Sequence, residues 1–434
     1  TIKSKAPNGG ITEFKYDKNG NLIATTDAEG YVSTVEYDSM NRIVKTTDPL
    51  GLITEYSYDS MGNLVAEKDN NGVNNSYEFD AVGNMISSTD ALGQKNTYRY
   101  DLNGNLVEIK SYDGTSTKYT YDLYNNRTSV TYPDGSEDKY TYDLAGNVIE
   151  MSKNGRVYSY EFDKINRVSS VTDPLNQITT YEYNIYDLVT KTTNADGTVK
   201  INNYDKVGNL VKSIDENGNP VSYEYDAVYR LKVATYANNS SNTYTYDNVG
   251  NLLSFVDNNG NKTQYKYSSL GYVIAMRDAN GAVTDYVRDA SGNVLTETDA
   301  LDNSTRYTYS KAGQLLTQTL PNGAVYTTEY DALGRTIKTT EPVSLSKTYK
   351  YNAKGDVESV TDQSGRVTSY IYDVMHRVTT STDAKGNATK FIYDANGNLS
   401  SLISAAGAVT KYTYNKVDQV TSELDPTGKL SEYS

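Results

Sequence analysis

The chain has 434 residues, among them 43 tyrosines, 5 phenylalanines and 1 histidine, with no cysteine and no tryptophan. The lack of cysteine excludes a disulfide framework and thiolate metal sites, and a net charge of −14 argues against sequence-independent binding to a nucleic-acid backbone. No stretch approaches the roughly 18 apolar residues of a membrane span. No secretory signal peptide is recognisable. Aliphatic residues are sparse, so we expect buried area to come largely from tyrosine, whose hydroxyl then needs a partner.

The chain is a tandem repeat. A Tyr-Asp pair followed by a turn signal first occurs at Tyr16-Asp17, and its equivalents recur every 21 residues up to Tyr414, except for one step of 20 between Tyr142 and Phe162. The series has 20 copies. Because stacked repeats share one core, this period outweighs the several domains that length alone suggests. We therefore predict one continuous array over residues 1–434, and expect it to be an excerpt of a longer chain with both ends inside a repeat.

Each repeat predicts two short strands and two turns. Residues 53–58 alternate, with Thr54, Tyr56 and Tyr58 on one face and Ile53, Glu55 and Ser57 on the other. Alternation among β-branched and aromatic residues indicates a strand, whereas Gly, Asn and Asp at intervals of about ten residues disfavour a helix. The predicted fold is all-β, with some forty strands in antiparallel hairpins that coil as a continuous ribbon.

The first turn of each repeat follows the Tyr-Asp pair. The Asp is predicted to accept backbone N–H groups as an Asx-turn, and the Gly three residues later is predicted to take a positive φ. The residues predicted to form this structural motif include Tyr16, Asp17, Gly20, Tyr58, Asp59, Gly62, Tyr100, Asp101, Gly104, Tyr142, Asp143, Gly146, Tyr246, Asp247, Gly250, Tyr393, Asp394 and Gly397.

Substitutions at these turn positions are mostly conservative. In some repeats the Asp is replaced by a residue that can accept the same hydrogen bonds, as at Asn184, Ser268, Ser310, Asn352 and Asn415. In others the Gly is replaced by a residue that tolerates positive φ, as at Asn41, Asn125, Asn166, Asp187 and Asp418. Tyr229 and His376 at the Gly place suggest a different local backbone. The second turn, as in residues 26–30, is less regular in sequence but recurs along the chain.

An aromatic residue usually also stands two positions before the key tyrosine, as at Tyr56 and Tyr98. Two aromatic residues on one face of every repeat would line up as ladders across neighbouring hairpins, with about 0.2–1 kcal/mol for each same-face pair. A flat ribbon of this length would leave its edges unburied, so it must coil. The period alone allows either a wide spiral around a hollow interior or a tight, filled rod.

The motif Tyr-Asp-x-x-Gly-Asn-Leu, as in residues 100–106 and 393–399, resembles the YD repeat of the RHS/YD family. This family includes bacterial polymorphic-toxin subunits, insecticidal toxin-complex subunits and the animal teneurins, and the resemblance covers essentially the whole chain. It implies a ribbon of hairpins that spirals into a hollow shell, which in the toxin members encloses a cytotoxic C-terminal cargo. No segment resembles the family's C-terminal core region with its self-cleaving aspartate, nor a toxin domain. Plug and cargo would then belong to other parts of the parent chain.

The sequence gives little evidence for a catalytic or metal-binding site. His376 has no cysteine and no second histidine to act with, and the recurrent Asp residues are explained by turn capping. Loops such as 17–21, 215–219 and 257–261 carry several oxygen ligands around a glycine but no bidentate Glu, so Asx-turns are favoured over calcium sites. We predict no catalytic residues, no metal and no cofactor.

Some copies depart from the pattern. These are Arg288 at the tyrosine place, Asn202 and Thr328 at the preceding aromatic place, a turn without glycine at 237–240, and the repeat shortened near 153–155. Such positions could mark bends or contacts with a cargo, and neutral drift in a redundant array is the favoured interpretation.

The predicted function is a non-enzymatic shell segment of a large secreted or cell-surface bacterial protein. Its expected partner is an enclosed protein segment of the same parent chain, with neither nucleic acid nor a membrane span. The alternative is a surface fibre, stalk or adhesin built from the same repeats, whose tyrosines would bind cell-surface glycans.

Overall fold

The computed structural model describes residues 1–70, 72 and 74–433. These form one all-β sheet of 42 strands, β1 to β42. The predicted all-β class and the expectation of some forty strands are confirmed. Within the described residues the single helical element is a 3₁₀ turn at Pro342–Ser344, and no helix has the length and apolar character to cross a membrane.

The strands are short, mostly five or six residues each. In chain order β1 to β14 are Ile2–Lys5, Ile11–Tyr16, Leu22–Thr26, Val32–Tyr37, Ile43–Thr47, Ile53–Tyr58, Leu64–Asp69, Asn74–Phe79, Met85–Thr89, Lys95–Tyr100, Leu106–Lys110, Ser116–Tyr121, Arg127–Thr131 and Glu137–Tyr142. Strands β15 to β28 are Val148–Lys153, Arg156–Phe162, Val168–Thr172, Ile178–Tyr183, Val189–Thr193, Val199–Tyr204, Leu210–Ile214, Pro220–Tyr225, Leu231–Thr235, Ser241–Tyr246, Leu252–Val256, Lys262–Tyr267, Val273–Arg277 and Val283–Arg288. Strands β29 to β42 are Val294–Thr298, Ser304–Tyr309, Leu315–Thr319, Val325–Tyr330, Thr336–Glu341, Leu345–Tyr351, Val357–Asp362, Val367–Tyr372, Val378–Thr382, Ala388–Tyr393, Leu399–Ile403, Val409–Tyr414, Val420–Leu424 and Leu430–Glu432.

Consecutive strands pair antiparallel, and the pairing is interrupted at the key tyrosine. In the β6–β7 hairpin Ser57 lies opposite Ala66, but Tyr58 lies opposite Leu64, so the register shifts by one residue between them. The same shift recurs at the equivalent place in other repeats, as in β10–β11 and β12–β13. A bulge bends the bulged strand and increases the local twist. A bend repeated every 21 residues is therefore built into the ribbon, and the sequence pattern did not predict it.

The two turns of a repeat have the same backbone geometry. In the first turn at 59–63 the Asp59 N–H donates to the Asn63 carbonyl at 3.0 Å and the Gly62 N–H donates to the Asp59 carbonyl at 3.2 Å. In the second turn at 48–52 the corresponding bonds measure 2.9 and 3.1 Å. The second turn varies more in sequence than the first, but at 48–52 it makes the same two hydrogen bonds.

The prediction of a different backbone at Tyr229 and His376 was wrong. Their φ angles are 65° and 61°, close to the 60° of Asn41 and the 62° of Asp187 at the same place in other repeats. Their N–H groups make the same turn hydrogen bonds, at 3.0 and 3.2 Å. The turn imposes the left-handed conformation on whichever residue stands there, at a cost of order 1 kcal/mol or more for a bulky side chain.

The shortened repeat is a tighter hairpin. Only Asn154 and Gly155 join β15 to β16, with φ angles of 46° and 83°, and Lys153 lies directly opposite Arg156. Two consecutive positive φ angles across a two-residue link are typical of a type I′ turn. The missing residue is thus absorbed in one turn and leaves the strands intact.

The buried interior is thin. Among the described residues the buried side chains are small, and they are Ser87, Ser129, Val130, Ser170, Pro174, Ala234, Ser254 and Ala275. Along β6 the side chains of Thr54, Tyr56 and Tyr58 are half-buried, whereas Glu55 and Ser57 are exposed. Stability therefore depends on half-buried tyrosines and on hydrogen bonds, as the lack of aliphatic residues predicted.

Two compact units can be distinguished, each assembled from separate stretches of the ribbon. Unit 1 comprises residues 1–79, 89–93 and 203–345, and unit 2 comprises residues 80–88, 94–202 and 346–434. In both units, early and late repeats of the chain pack together.

Candidate functional site

In most repeats the hydroxyl of the key tyrosine is hydrogen-bonded to the repeat before it. The hydroxyl of Tyr100 donates to the carbonyl of Met85 at 3.0 Å, and that of Tyr183 donates to the carbonyl of Val168 at 2.7 Å. The acceptor is always 15 residues earlier, at the first residue of the preceding second strand. Equivalent bonds are made by Tyr37, Tyr58, Tyr121, Tyr142, Tyr225, Tyr267, Tyr330, Tyr372, Tyr393 and Tyr414. This bond supplies the hydroxyl partner that the sequence could not assign.

Arg288, at the tyrosine place of its repeat, makes the same connection. Its Nε donates to the carbonyl of Val273 at 2.8 Å, again 15 residues earlier, and its guanidinium also donates to the carbonyl of Gly292 at 2.7 Å. The substitution therefore preserves the link between repeats, which favours a retained structural role over drift at this position.

The Asp of the first turn is fully engaged. Asp101 Oδ1 accepts the N–H groups of Asn103 and Asn105, both at 2.9 Å, and Oδ2 accepts the side-chain amide of Asn105 at 3.0 Å. These bonds, led by the Asn105 side chain, lower the pKa of Asp101 below its ordinary value. The other motif aspartates Asp17, Asp59, Asp143, Asp247 and Asp394 lie in the same arrangement.

The loops weighed as calcium sites use their oxygens in the same way. Asp215 and Asp257 each accept two backbone N–H groups and one asparagine amide. Within the described part of the chain, no group of three or more His, Cys, Asp and Glu residues could hold a metal ion. The motif glycines all have positive φ, and they are Gly20, Gly62, Gly104, Gly146, Gly250 and Gly397. Of the remaining motif tyrosines, Tyr16 is exposed and Tyr246 lies under an arginine.

A second form of the turn has arginine in place of the asparagine, and sequence analysis did not single it out. Arg230 donates from Nε to Asp226 Oδ2 at 2.7 Å and from its terminal nitrogen to the carbonyl of Asp247 at 2.7 Å. Its guanidinium also lies 4.8 Å from the ring centroid of Tyr246, in the next repeat. The same stacking occurs for Arg42 on Tyr58, Arg167 on Tyr183 and Arg377 on Tyr393. A charge-paired arginine over an aromatic face therefore links adjacent turns.

His376 takes part in a similar link along the turns. Its Nδ1 lies 2.8 Å from Asp356 Oδ1, in the preceding repeat. Asn41 and Asn125 occupy the same place in their own repeats, and their side-chain oxygens accept the amides of Asn21 and Asn105 at 2.7 and 2.8 Å. The histidine thus stands where other repeats have a structural contact.

The two edges of the ribbon meet inside each unit. We call the edge formed by the first turns the first-turn edge and that formed by the second turns the second-turn edge. In unit 1 the Asn8 amide donates to the carbonyl of Ser269 at 3.2 Å, and Lys311 Nζ donates to the carbonyl of Gly51 at 3.4 Å. Residues 260 and 261 positions apart are joined here, so the second-turn edge of early repeats binds the first-turn edge of late repeats.

Unit 2 contains the same type of contact, and we call this contact of opposite edges the seam. Lys354 Nζ lies 3.4 Å from Asp113 Oδ2, the Asn154 amide donates to Asn396 Oδ1 at 3.1 Å, and Arg156 forms an ion pair with Asp418. The Asn154 and Arg156 partners are 242 and 262 residues away. These separations mean that the two repeats in contact at the seam lie about twelve repeats apart along the chain.

The seam carboxylates are shifted towards ionisation. Burial opposes ionisation of Asp113, but hydrogen bonds from Thr115 and the Lys354 ammonium hold its pKa below its ordinary value. Burial likewise opposes ionisation of Asp418, and the side chains of Asn398 and Arg156 lower its pKa. Both seam contacts are therefore strongest when these groups are charged.

A ribbon of hydrogen-bonded hairpins whose opposite edges meet at a seam within each unit defines a structural repeat protein. The family model described as Teneurin YD-shell matches residues 4–131 and 214–342, and the RHS repeat model matches residues 162–199, 351–388 and 393–430. Since the first of these covers more than half of the sequence, the chain belongs to the teneurin YD-shell family of structural shell repeats. The resemblance inferred from the repeat motif is thereby confirmed.

Solved structures share the fold. A Photorhabdus luminescens Tc holotoxin pore matches with a TM-score of 0.62 and 13% identity over 96% of this chain and 28% of that one. A TcdB2–TccC3–Cdc42 crystal structure matches with a TM-score of 0.59 and 13% identity over 97% of this chain and 30% of that one. The chain thus spans less than a third of these relatives. No curated protein sequence matches it.

Proposed function

We propose that this ribbon is a wall segment of a secreted or cell-surface bacterial shell that encloses and shields a protein segment of its own parent chain. The observation that carries the proposal is the seam, in which late repeats bind early repeats edge to edge within each unit. Membership of the YD-shell family and the fold shared with Tc toxin structures support it. In this view residues 1–434 act as one array, and the enclosed segment lies elsewhere in the parent protein.

Shielding follows from how the ribbon is joined both along and across its length. Along the ribbon, each strand is hydrogen-bonded to its neighbours, and the tyrosine hydroxyls bridge successive repeats. Across the ribbon, seam contacts such as Arg156 with Asp418 join what would otherwise be free edges. A wall joined in both directions excludes proteases from what lies behind it, and no side-chain chemistry is required.

Limited proteolysis of the full parent protein tests the proposal. The enclosed segment should be cleaved far more slowly than the same segment expressed alone. Asp113→Asn combined with Asp418→Asn keeps the turn geometry but removes both seam charges, and should speed its cleavage. Glu358→Gln is the matched control, because it removes an exposed pair with Lys350 away from the seam. Cleavage as fast as that of the free segment would contradict the proposal.

Glycan binding by a fibre or adhesin stays a prediction. The hydroxyls of the key tyrosines are engaged with backbone carbonyls, so sugar stacking would fall to exposed turn tyrosines such as Tyr124 and Tyr186. A glycan array probed with the wild-type chain and with Tyr124→Ala, Tyr186→Ala would show binding that the double substitution removes.

A further inference from the structure

The sheet face opposite the key tyrosines, which we call the polar face, carries ion pairs between neighbouring strands. In several hairpins the residue before the key tyrosine is a glutamate that lies directly opposite a lysine of the next strand. These pairs are Glu36 with Lys45, Glu182 with Lys191 and Glu329 with Lys338, at 3.0, 2.8 and 2.9 Å. At these places the charge is neutralised within the sheet.

The β26–β27 hairpin in unit 1 departs from this pattern. Lys266 stands at the glutamate place, and Ala275 stands opposite it at the lysine place. Arg277 follows two residues after Ala275 on β27 and lies on the same face. Among the described residues, neither Lys266 nor Arg277 forms an ion pair. Two cations without an acidic partner therefore flank a residue whose side chain is a single methyl group.

A hollow opens on the polar face above Ala275. Its volume is about 460 Å³, and its lining includes Leu253, Lys266, Arg277 and Val283. Ala275 is only 8% exposed because the surrounding side chains rise above it, whereas Leu253 is 40% exposed at the rim. Sites for small molecules typically have volumes of roughly 300–1,000 Å³ and combine apolar walls with a few polar groups. This hollow has both features.

The hollow lies on a face of the ribbon, in the middle of strands β25 to β28, and not at an edge. The seam contacts of unit 1 join turns, such as Asn8 with Ser269 and Lys311 with Gly51. Further contacts of the seam type would therefore cover turns and leave this face as it is.

One carboxylate borders the hollow. Asp285 lies opposite Ala275 on β28, on the side away from Lys266. Its charge disfavours a second anionic group on that side. The arrangement therefore fits a ligand with a single anionic group near the two cations and an apolar body over Ala275.

We propose that this hollow binds small, free amphiphilic anions, with the acidic group held by Lys266 and Arg277 and the apolar body against Ala275. Hydrogen bonds between charged groups are stronger than neutral ones, and burial of apolar surface adds to them. Charge complementarity thus sets the class of ligand, and the size of the hollow limits the ligand to a small molecule. The site belongs to the wall itself and does not require an enclosed segment, so its outcome is independent of the shielding proposal.

Fluorescence titration with anilinonaphthalene sulfonate tests the site, because this probe combines one anionic group with an apolar body. Phenylnaphthylamine, which has the same rings without the sulfonate, is the matched neutral probe. Lys266→Gln combined with Arg277→Gln should raise the dissociation constant of the sulfonate probe at least about tenfold and leave that of the neutral probe unchanged. Lys390→Gln combined with Lys411→Gln removes two exposed lysines of the polar face outside the hollow, and should change neither constant.

Substitutions at the floor and the far rim test the geometry. Ala275→Leu fills the hollow and should weaken binding of the sulfonate probe at least about tenfold. Ala66→Leu is the matched control, since Ala66 holds the equivalent place in its repeat, opposite Ser57, and should leave binding unchanged. Asp285→Asn removes the repulsion at the rim and should strengthen binding, a gain that partial unfolding cannot produce.

Competition identifies the acidic group that the site accepts. Octanoate should displace the sulfonate probe from the wild-type chain, and octanol, which has the same apolar body without the charge, should not. Unchanged binding of the sulfonate probe to the Lys266→Gln, Arg277→Gln variant overturns the proposal. So does equal weakening by Ala275→Leu and Ala66→Leu, or displacement by octanol as readily as by octanoate.

Discussion

Arg288 donates a hydrogen bond from Nε to the carbonyl oxygen of Val273 at 2.8 Å, and so replaces the tyrosine hydroxyl that makes this bond in neighbouring repeats. Two chemically unlike side chains reach the same acceptor because both are long and end in a donor. This position therefore requires a side chain that places a hydrogen-bond donor at a fixed distance from the backbone. Tyrosine is the residue that most often supplies this donor.

Substitution of Arg288 tests this role. Arg288→Tyr should leave the urea midpoint close to that of the wild type, since tyrosine makes the bond elsewhere. Arg288→Leu should lower the free energy of unfolding by about 1–3 kcal/mol, because it leaves the carbonyls of Val273 and Gly292 without this donor. Equal stability of the two variants, measured by urea denaturation, would show that the bond contributes nothing.

The turn aspartates predict an acid limit of stability. The Asn147 side-chain amide, followed by backbone N–H groups, lowers the pKa of Asp143 from its ordinary 3.8. A folded-state pKa below the unfolded one contributes stability above pH 3.8 that is lost as the pH falls through the folded pKa. Asp143→Ala should therefore lower the urea midpoint at pH 7 and reduce the difference between pH 7 and pH 3.

Asp143→Asn is the conservative control for that prediction. Asn415 holds the equivalent place in its repeat, where its Oδ1 accepts both N–H groups and its amide donates to Gln419. Asn147 can rotate its side-chain amide to accept in the same way. This variant should keep most of the stability at pH 7 but lose the acid dependence at this turn, and a midpoint as low as that of the alanine variant would contradict the capping role.

Two glycines with the same φ angle allow the cost of backbone strain to be distinguished from the cost of side-chain crowding. Gly104 and Gly292 both have φ of 84°, but an added Cβ meets nothing within 4 Å at Gly104 and lies 2.5 Å from the Tyr272 ring at Gly292. Gly104→Ala should cost about 1 kcal/mol, the strain of a positive φ. Gly292→Ala should cost clearly more, because the ring must also move. Thermal unfolding of the two variants side by side checks the difference, and equal losses would mean that the ring moves freely.

The tyrosine network predicts an alkaline limit. Burial raises the pKa of Tyr183 and Tyr225 above the ordinary 10.0, since it disfavours the charged tyrosinate. Stability from such a raised pKa is present below pH 10 and is lost as the pH rises through the folded value. Urea midpoints at pH 8 and pH 11 should therefore differ less for Tyr183→Phe, Tyr225→Phe than for the wild type. Tyr124→Phe, at an exposed turn, should leave that difference unchanged.

Much of the architecture was readable from the repeat. The 21-residue period, the alternation along 53–58 and the Asx chemistry of Asp59 each depend on short-range interactions, so they predict strands and turns without tertiary information. The errors arose where side-chain identity was taken to set the backbone. Tyr229 and His376 keep the turn of their neighbours because the flanking hairpin hydrogen bonds impose it.

What the sequence by itself determined is the local unit: two strands, two turns, and a half-buried aromatic ring in every copy, because propensity and side-chain capping act within a few residues. Only the tertiary structure decided which carbonyl each tyrosine hydroxyl reaches, where the bulge bends the ribbon, and that Arg156 meets Asp418. A pair 262 residues apart depends on the small bends and twists accumulated over about twelve repeats. No single repeat encodes that sum.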